Sequence, residues 1–324
     1  MTRGPLEGAR VTVAGAAGFI GTNLIPELLL AGAQVRGITH SRPLQSANSE
    51  VEYIQADLTT ADGCGRAVKD TDIFVMAAAN SSGAQVMASK PLTHLTPNIV
   101  MNALTLEAAY EAGVSKYCFL SSNTVYPPGD KVMTENDATG EFFESYNVVA
   151  GMKLYSEQMV QHYSSLSGKS MDTLIIRPAN LYGPFDKFSP RESKVIPALV
   201  RRAVAREAPF LVWGDGRDIK DFLFISDFVV GLVKSLSLDL KNEIINLASG
   251  ESISLRDIVP KILRSADYES ATVAFDSDKP TMIPVRRISN IKAKKLLAWE
   301  ASVGPDEGIR RTVEWYKNNP SGQA

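Results

Sequence analysis

Short apolar runs rich in β-branched residues alternate with longer amphipathic stretches through the first half of the chain. The runs predict strands at Arg10–Ala14, Gln34–Thr39, Val51–Gln55, Ile73–Ala77, Lys116–Leu120 and Asp172–Arg177. Helical periodicity between and after them predicts helices at Thr22–Ala31, Pro97–Ala112 and Met152–Ser165. Strands spaced by helices imply an α/β fold, a doubly wound parallel sheet of the Rossmann type. After Arg177 the pattern breaks into Pro-, Gly- and aromatic-rich segments (182–190, 210–224, 276–284) mixed with helices at Lys194–Arg206, Ser254–Arg264 and Glu307–Asn318. Residues 1–177 are therefore expected to form the sheet domain. Residues 178–324 are expected to form mainly a smaller interleaved lobe, with some segments returning to the sheet.

The first strand runs directly into Gly15-Ala-Ala-Gly18-Phe-Ile-Gly21. Glycines at this spacing allow a sharp turn and a close approach of backbone to a pyrophosphate at the N-terminus of the next helix, with Phe19 and Ile20 as further cofactor contacts. The preceding strand, the following helix and the position near the N-terminus make this a dinucleotide-binding turn.

Composition narrows the partners. A formal net charge of -2 excludes a basic field for nucleic acid, and no polybasic run favours a membrane surface. No apolar stretch reaches the length of a membrane span, and Met-Thr-Arg-Gly-Pro-Leu-Glu-Gly at the start lacks a signal peptide's apolar core. The two cysteines, Cys64 and Cys118, are too few for a disulfide framework. His40, His94 and His162 lack metal-ligand spacing. The expectation is a reduced, cytoplasmic protein without a structural metal.

An NAD-selective site commonly carries an acid at the end of the second strand, where it takes both ribose hydroxyls. Thr39 stands there, and Arg42 follows. Without the carboxylate a 2′-phosphate meets no repulsion, and Arg42 offers a bidentate cation, so NADP is favoured and NAD is the alternative. Asp57 and Leu58, after the third strand, are placed to meet the adenine. Ala77 and Ala78, after the fourth, are small enough for a close approach to the cofactor.

Three further segments carry chemistry: Phe-Leu-Ser-Ser-Asn-Thr-Val-Tyr-Pro (119–127), Lys-Leu-Tyr-Ser-Glu-Gln (153–158) and Arg-Pro-Ala-Asn-Leu-Tyr-Gly-Pro (177–184). With the glycine turn, the chain resembles the extended short-chain dehydrogenase/reductase superfamily, in particular its nucleotide-sugar epimerases and reductases. Residues 182–190, 194–202, 212–216 and 286–299 are similar to the substrate lobe of GDP-fucose synthase-like members. That resemblance implies hydride transfer between a nicotinamide and a sugar carbon at a keto centre. It also implies a nucleotide-sugar substrate and a homodimer formed through the helix bearing Lys153 and its neighbour. It places the polarising hydroxyl at Ser122, the ribose-holding lysine at Lys153 and a cofactor contact at Pro178. Asn180, Lys194, Lys220 and Arg287 fall where relatives contact substrate.

The chain departs from the family at the centre of the chemistry. Relatives carry Tyr-x-x-x-Lys, because residues four apart share a helix face. Four residues before Lys153 stands Val149, which carries no proton. Tyr146 and Thr124 are the candidate replacements; Tyr146 reaches the site only if the helix begins after it. Thr124 and Lys194 stand where GDP-fucose synthases use a cysteine and a histidine for epimerisation. The expected function is an NAD(P)-dependent nucleotide-sugar reductase/epimerase with an atypical site. The rivals are a 4-epimerase holding NAD tightly and a catalytically weak, cofactor-regulated binding protein.

Overall fold

The computed structural model describes residues 4–81, 92–190, 192–279 and 283–319. The first half contains β1 (Arg10–Ala14), α1 (Phe19–Leu30), β2 (Gln34–Thr39), β3 (Glu52–Gln55), α2 (Ala61–Val68), β4 (Ile73–Met76), α3 (Leu92–Ala112) and β5 (Lys116–Leu120). It continues through β6 (Val132–Met133), α4 (Asn147–Ser164) and β7 (Asp172–Pro178). The second half follows with β8 (Asn180–Tyr182), α5 (Val195–Val204), β9 (Phe210–Trp213), β10 (Ile219–Phe224), α6 (Ile225–Ser237) and β11 (Glu243–Leu247). It ends in β12 (Ser252–Ser254), α7 (Leu255–Ser265), β13 (Val273–Asp276), β14 (Val285–Ile288), α8 (Ile291–Leu297) and α9 (Pro305–Asn318).

Seven strands pair in the order β11-β7-β5-β4-β1-β2-β3, all parallel. Both faces are covered, so central strands read as unbroken apolar runs, and every residue of β4 and β5 is buried. The edge strand β3 has no buried residue. One core layer joins Leu24 and Leu28 of α1 to Phe228 and Leu232 of α6; the other joins Phe74, Tyr117 and Phe119 to Leu106 of α3 and Val160 of α4. Two elements of the second half, α6 and β11, thus complete the first sheet.

The remaining segments form a lobe of short strands. β10 lies between β12 and β14, with β8 also paired to it, and β9 pairs with β13. Ile196, Leu199 and Val200 of α5, Ile258 and Ile262 of α7 and Ile309 and Val313 of α9 make its core. Among the described residues no helix is long and apolar enough to cross a membrane.

Candidate active site

Strand order reverses at β1, which lies between β2 and β4. Open parallel sheets bind ligands beyond the carboxyl ends of the strands at such a point. The glycine turn leaves β1 there. Gly15 has φ +82°, and a Cβ on it would lie 2.8 Å from the Ala78 Cα. A Cβ on Gly21 would meet the Gly15 carbonyl at 2.3 Å, so α1 packs against the turn only because that position is glycine. Gly18 caps α1 with extended backbone and no side chain, and Thr22 N is the first amide to bond back, to Gly18 O at 2.9 Å. The amides of Phe19, Ile20 and Gly21 therefore open the helix toward the cleft, the arrangement that suits a pyrophosphate.

The loops after β2, β3 and β4 leave the same edge of the sheet. Arg42 is exposed after β2, where no carboxylate stands. Asp57 is held ionised, its carboxyl kept below the usual range by the Thr59 hydroxyl (2.7 Å) and amide (2.9 Å), while Leu58 is buried. Ala77 and Ala78 are half-buried beside Gly15. Their loop is anchored to α3 by a reciprocal pair: Asn80 N donates to Asn98 Oδ1 (2.8 Å) and Asn98 Nδ2 donates to Asn80 O (3.0 Å).

Ser122 follows β5 and opens the single 3-10 turn Asn123–Val125. Its Oγ accepts from the Thr124 amide (3.2 Å) and the Thr124 hydroxyl (3.0 Å). With both lone pairs engaged, its own proton remains to be donated. Asn123 Nδ2 donates to Pro178 O at 3.0 Å, tying this turn to the end of β7. Lys153, from α4, donates to Leu120 O at 2.7 Å and lies 4.7 Å from the centre of the Phe119 ring. Burial pushes its ammonium down to about 8, opposed by the charge of Glu157.

One turn along α4 from Lys153, Glu157 is 1% exposed. It accepts from Arg177 Nη2 at 2.6 Å and Nε at 3.0 Å, and from the Ser121 hydroxyl. Arg177 also donates to Tyr126 OH (3.2 Å) and Glu135 O (2.8 Å), and Tyr126 OH donates to Asn246 Oδ1. This buried network fastens α4 to β5, β7 and β11, and so fixes Lys153 relative to Ser122. The motif reading missed it. Its signals were Glu157 four residues after Lys153 and Arg177 inside an apolar strand.

The helix begins at Asn147, directly after Tyr146, which ends a 3-10 turn and is half-buried. Burial raises its phenol. Val149 is also half-buried. Of the residues expected to contact substrate, Asn180 donates through Nδ2 to Asp221 O at 2.9 Å. Lys194 is the exposed N-cap residue of α5, its charge felt by buried Asp186. Lys220 has partners within the chain, Ile283 O at 2.6 Å and Asp218 at 3.1 Å, and Arg287 pairs with Asp130 at 2.9 Å. Beside it Arg286 is 1% exposed and donates to the carbonyls of Tyr126 (2.9 Å) and Pro127 (3.0 Å), so it holds the chain together rather than facing a ligand. Among the described residues no group of His, Cys, Asp and Glu could hold a metal ion. Burial raises the thiols of Cys64 and Cys118 to about 11 and about 12, which leaves them protonated and unreactive near neutral pH.

A Rossmann sheet with a glycine turn at its switch point, and a serine and a lysine at the end of β5 two strands away, define an enzyme of the extended short-chain dehydrogenase/reductase class. The chain belongs to the NAD dependent epimerase/dehydratase family, which matches residues 11–248. It is 27% identical to GDP-L-fucose synthase 1 of Arabidopsis thaliana over 96% of this chain and 94% of that one. Among solved structures it is similar to an epimerase of Methanothermobacter thermautotrophicus (TM-score 0.88, 26% identity, 98% of this chain and 94% of that one). It is also similar to MoeE5 in complex with UDP-glucuronic acid and NAD (TM-score 0.83, 26% identity, 96% and 100%).

Proposed function

We propose that the protein is an NAD(P)-dependent reductase or epimerase of a nucleotide-activated sugar, working by hydride transfer at a keto centre. One observation carries the reading: Ser122, its lone pairs engaged by Thr124, and Lys153, fixed to Leu120 O, flank the end of β5, on the same edge of the sheet as the glycine turn and two strands from it. The residues present suit a dinucleotide. Gly15 lets the turn pack against the Ala77–Ala78 backbone, where a Cβ would collide, and the first amides of α1 carry no side-chain cap. A bound nicotinamide supplies or accepts the hydride. Phe19, Ile20 and Gly21 amides hold the pyrophosphate, Ala77, Ala78 and Pro178 line its path, and Arg42 takes the 2′-phosphate of NADP. Ser122 donates its free proton to the sugar oxygen and polarises it. Lys153 keeps two N–H groups beyond its bond to Leu120 O for the nicotinamide ribose. Asn180, Lys194, Lys220 and Arg287 belong to the sugar-nucleotide side. Val149 removes the usual proton carrier, so Tyr146 or Thr124 takes that place, at reduced rate. The protein acts as a homodimer; Val148 and Tyr155, 44% and 55% exposed seven residues apart on α4, supply apolar contact for it.

A second reading, a 4-epimerase holding NAD tightly, is favoured by the NAD in the MoeE5 complex. One experiment separates the two. The protein is incubated with GDP- and UDP-linked sugars and their 4-keto forms while reduced cofactor and sugar products are followed. Stoichiometric loss of reduced cofactor supports the reductase. Interconversion of two sugars without net loss supports the 4-epimerase. Cofactor binding without turnover on the panel contradicts both and leaves a binding protein.

A further inference from the structure

We propose that Lys187, carried by the second lobe, is a second cation for the 2′-phosphate of the cofactor's adenosine, acting across the cleft with Arg42. The inference rests on the reading of this chain as a nicotinamide-dependent enzyme. The segment 184–187 leaves β8 and crosses onto α1 and two loops at the carboxyl edge of the large sheet. Asn23 Nδ2, in the first turns of α1, donates to Pro184 O at 3.1 Å. Gln45 Nε2, three residues beyond Arg42, donates to Phe185 O at 3.4 Å. Lys187 Nζ donates to Ser81 O at 2.5 Å, next to the loop that Asn98 anchors. The loops after β1, β2 and β4 surround the switch point, so the strap lies across the cofactor's path. It is held from the far side as well: the Phe185 ring lies 5.0 Å from Trp315 of α9, with φ +68° at Phe185.

The charges around Lys187 favour a dianion. Burial lowers its affinity for a proton, the Glu192 carboxylate at 3.4 Å partly restores it, and the charges of Arg42 and Lys194 lower it again. Two like charges brought together from different lobes repel until an anion lies between them. The end of β2 offers Thr39 and His40 but no carboxylate for a bare ribose diol. A phosphate monoester on that ribose adds between one and two negative charges near neutral pH, which two cations match. Because Lys187 sits on the strap, binding of this phosphate also fastens the second lobe to the sheet domain.

The test compares NADPH with NADH, which differ only in the 2′-phosphate, by calorimetric titration of the full chain. For Lys187→Met we expect the NADPH dissociation constant to rise about tenfold, in the range of one charge-assisted hydrogen bond, with NADH changed little. Lys187→Arg should retain most of the NADPH preference and shows that the position tolerates substitution. Loss of the strap's bond to Ser81 alone would weaken both cofactors equally. Equal weakening, no weakening, or a wild type that prefers NADH overturns the proposal while the nicotinamide reading stands. Failure of the folded wild type to bind either cofactor overturns that reading itself.

Discussion

Arg177 and Glu157 form a two-pronged ion pair, at 2.6 and 3.0 Å, in which both side chains are at most 2% exposed. Removing one partner of such a pair leaves the other charge buried and unmatched, at a cost of about 3–5 kcal/mol. Glu157→Met and Arg177→Met should therefore each lower Tm markedly. The double variant Glu157→Met/Arg177→Met should be less destabilised than the sum of the single changes. Additive losses in thermal melts would show that the pair does not act as a unit.

The pH dependence of turnover should report Lys153. Its ammonium, pushed by burial down to about 8 from an ordinary 10.5, must be charged to hold the nicotinamide ribose. Activity should fall as pH rises through about 8, and Lys153→Arg should remove that limb while lowering the maximum rate. Stability runs the other way. The folded state binds this proton less tightly than the unfolded chain, so Lys153's contribution improves between pH 8 and 10.5. A rate profile that is flat across pH 8 would detach the lysine from the chemistry.

Val149 stands one helical turn before Lys153, where a phenol would face the same site. General acid–base help is worth typically about 10²–10⁴-fold. Val149→Tyr should raise turnover by about 10²-fold if the remaining groups are in place. Tyr146→Phe in the wild-type background should depress the rate strongly if Tyr146 is the acid, and an unchanged rate would transfer that role to Thr124 or to water. No gain from the new tyrosine would mean that the site has drifted from redox chemistry at a sugar carbon.

Gly15→Ala combines a left-handed backbone, φ +82°, with a methyl 2.8 Å from the Ala78 Cα. Gly8, at φ +78° with nothing within 4 Å of an added Cβ, supplies the control. Gly8→Ala should show the conformational cost alone, of order 1–2 kcal/mol. Gly15→Ala should lose more stability and most cofactor affinity. Equal behaviour of the two variants in melts and titrations would remove the crowding at the turn.

All six predicted strands match β1, β2, β3, β4, β5 and β7 to within one residue at either end; the doubly covered parallel strands among them appear as continuous apolar runs bounded by turns. Helix starts were less legible. α3 runs from Leu92 through Pro97, where the proline suggested a beginning, and α4 starts five residues before Met152. β11 and α6 went unread. They lie among segments of irregular pattern, and only tertiary packing against β7 and α1 returns them to the large sheet. The site divided in the same way. Gly15, Ser122 and Lys153 stand in local motifs that follow from backbone spacing. The Glu157–Arg177 pair, the bond of Lys220 to Ile283 O and the contact of Lys187 with Ser81 join residues 20 to 106 positions apart, and local spacing does not show that they meet.

Cofactor binding tests the account at its root. Titration of the folded chain with NADPH and NADH should give saturable binding with one site per subunit, lost in Gly15→Ala and weakened in Lys153→Met. A folded wild type with no measurable affinity for either nucleotide would contradict it.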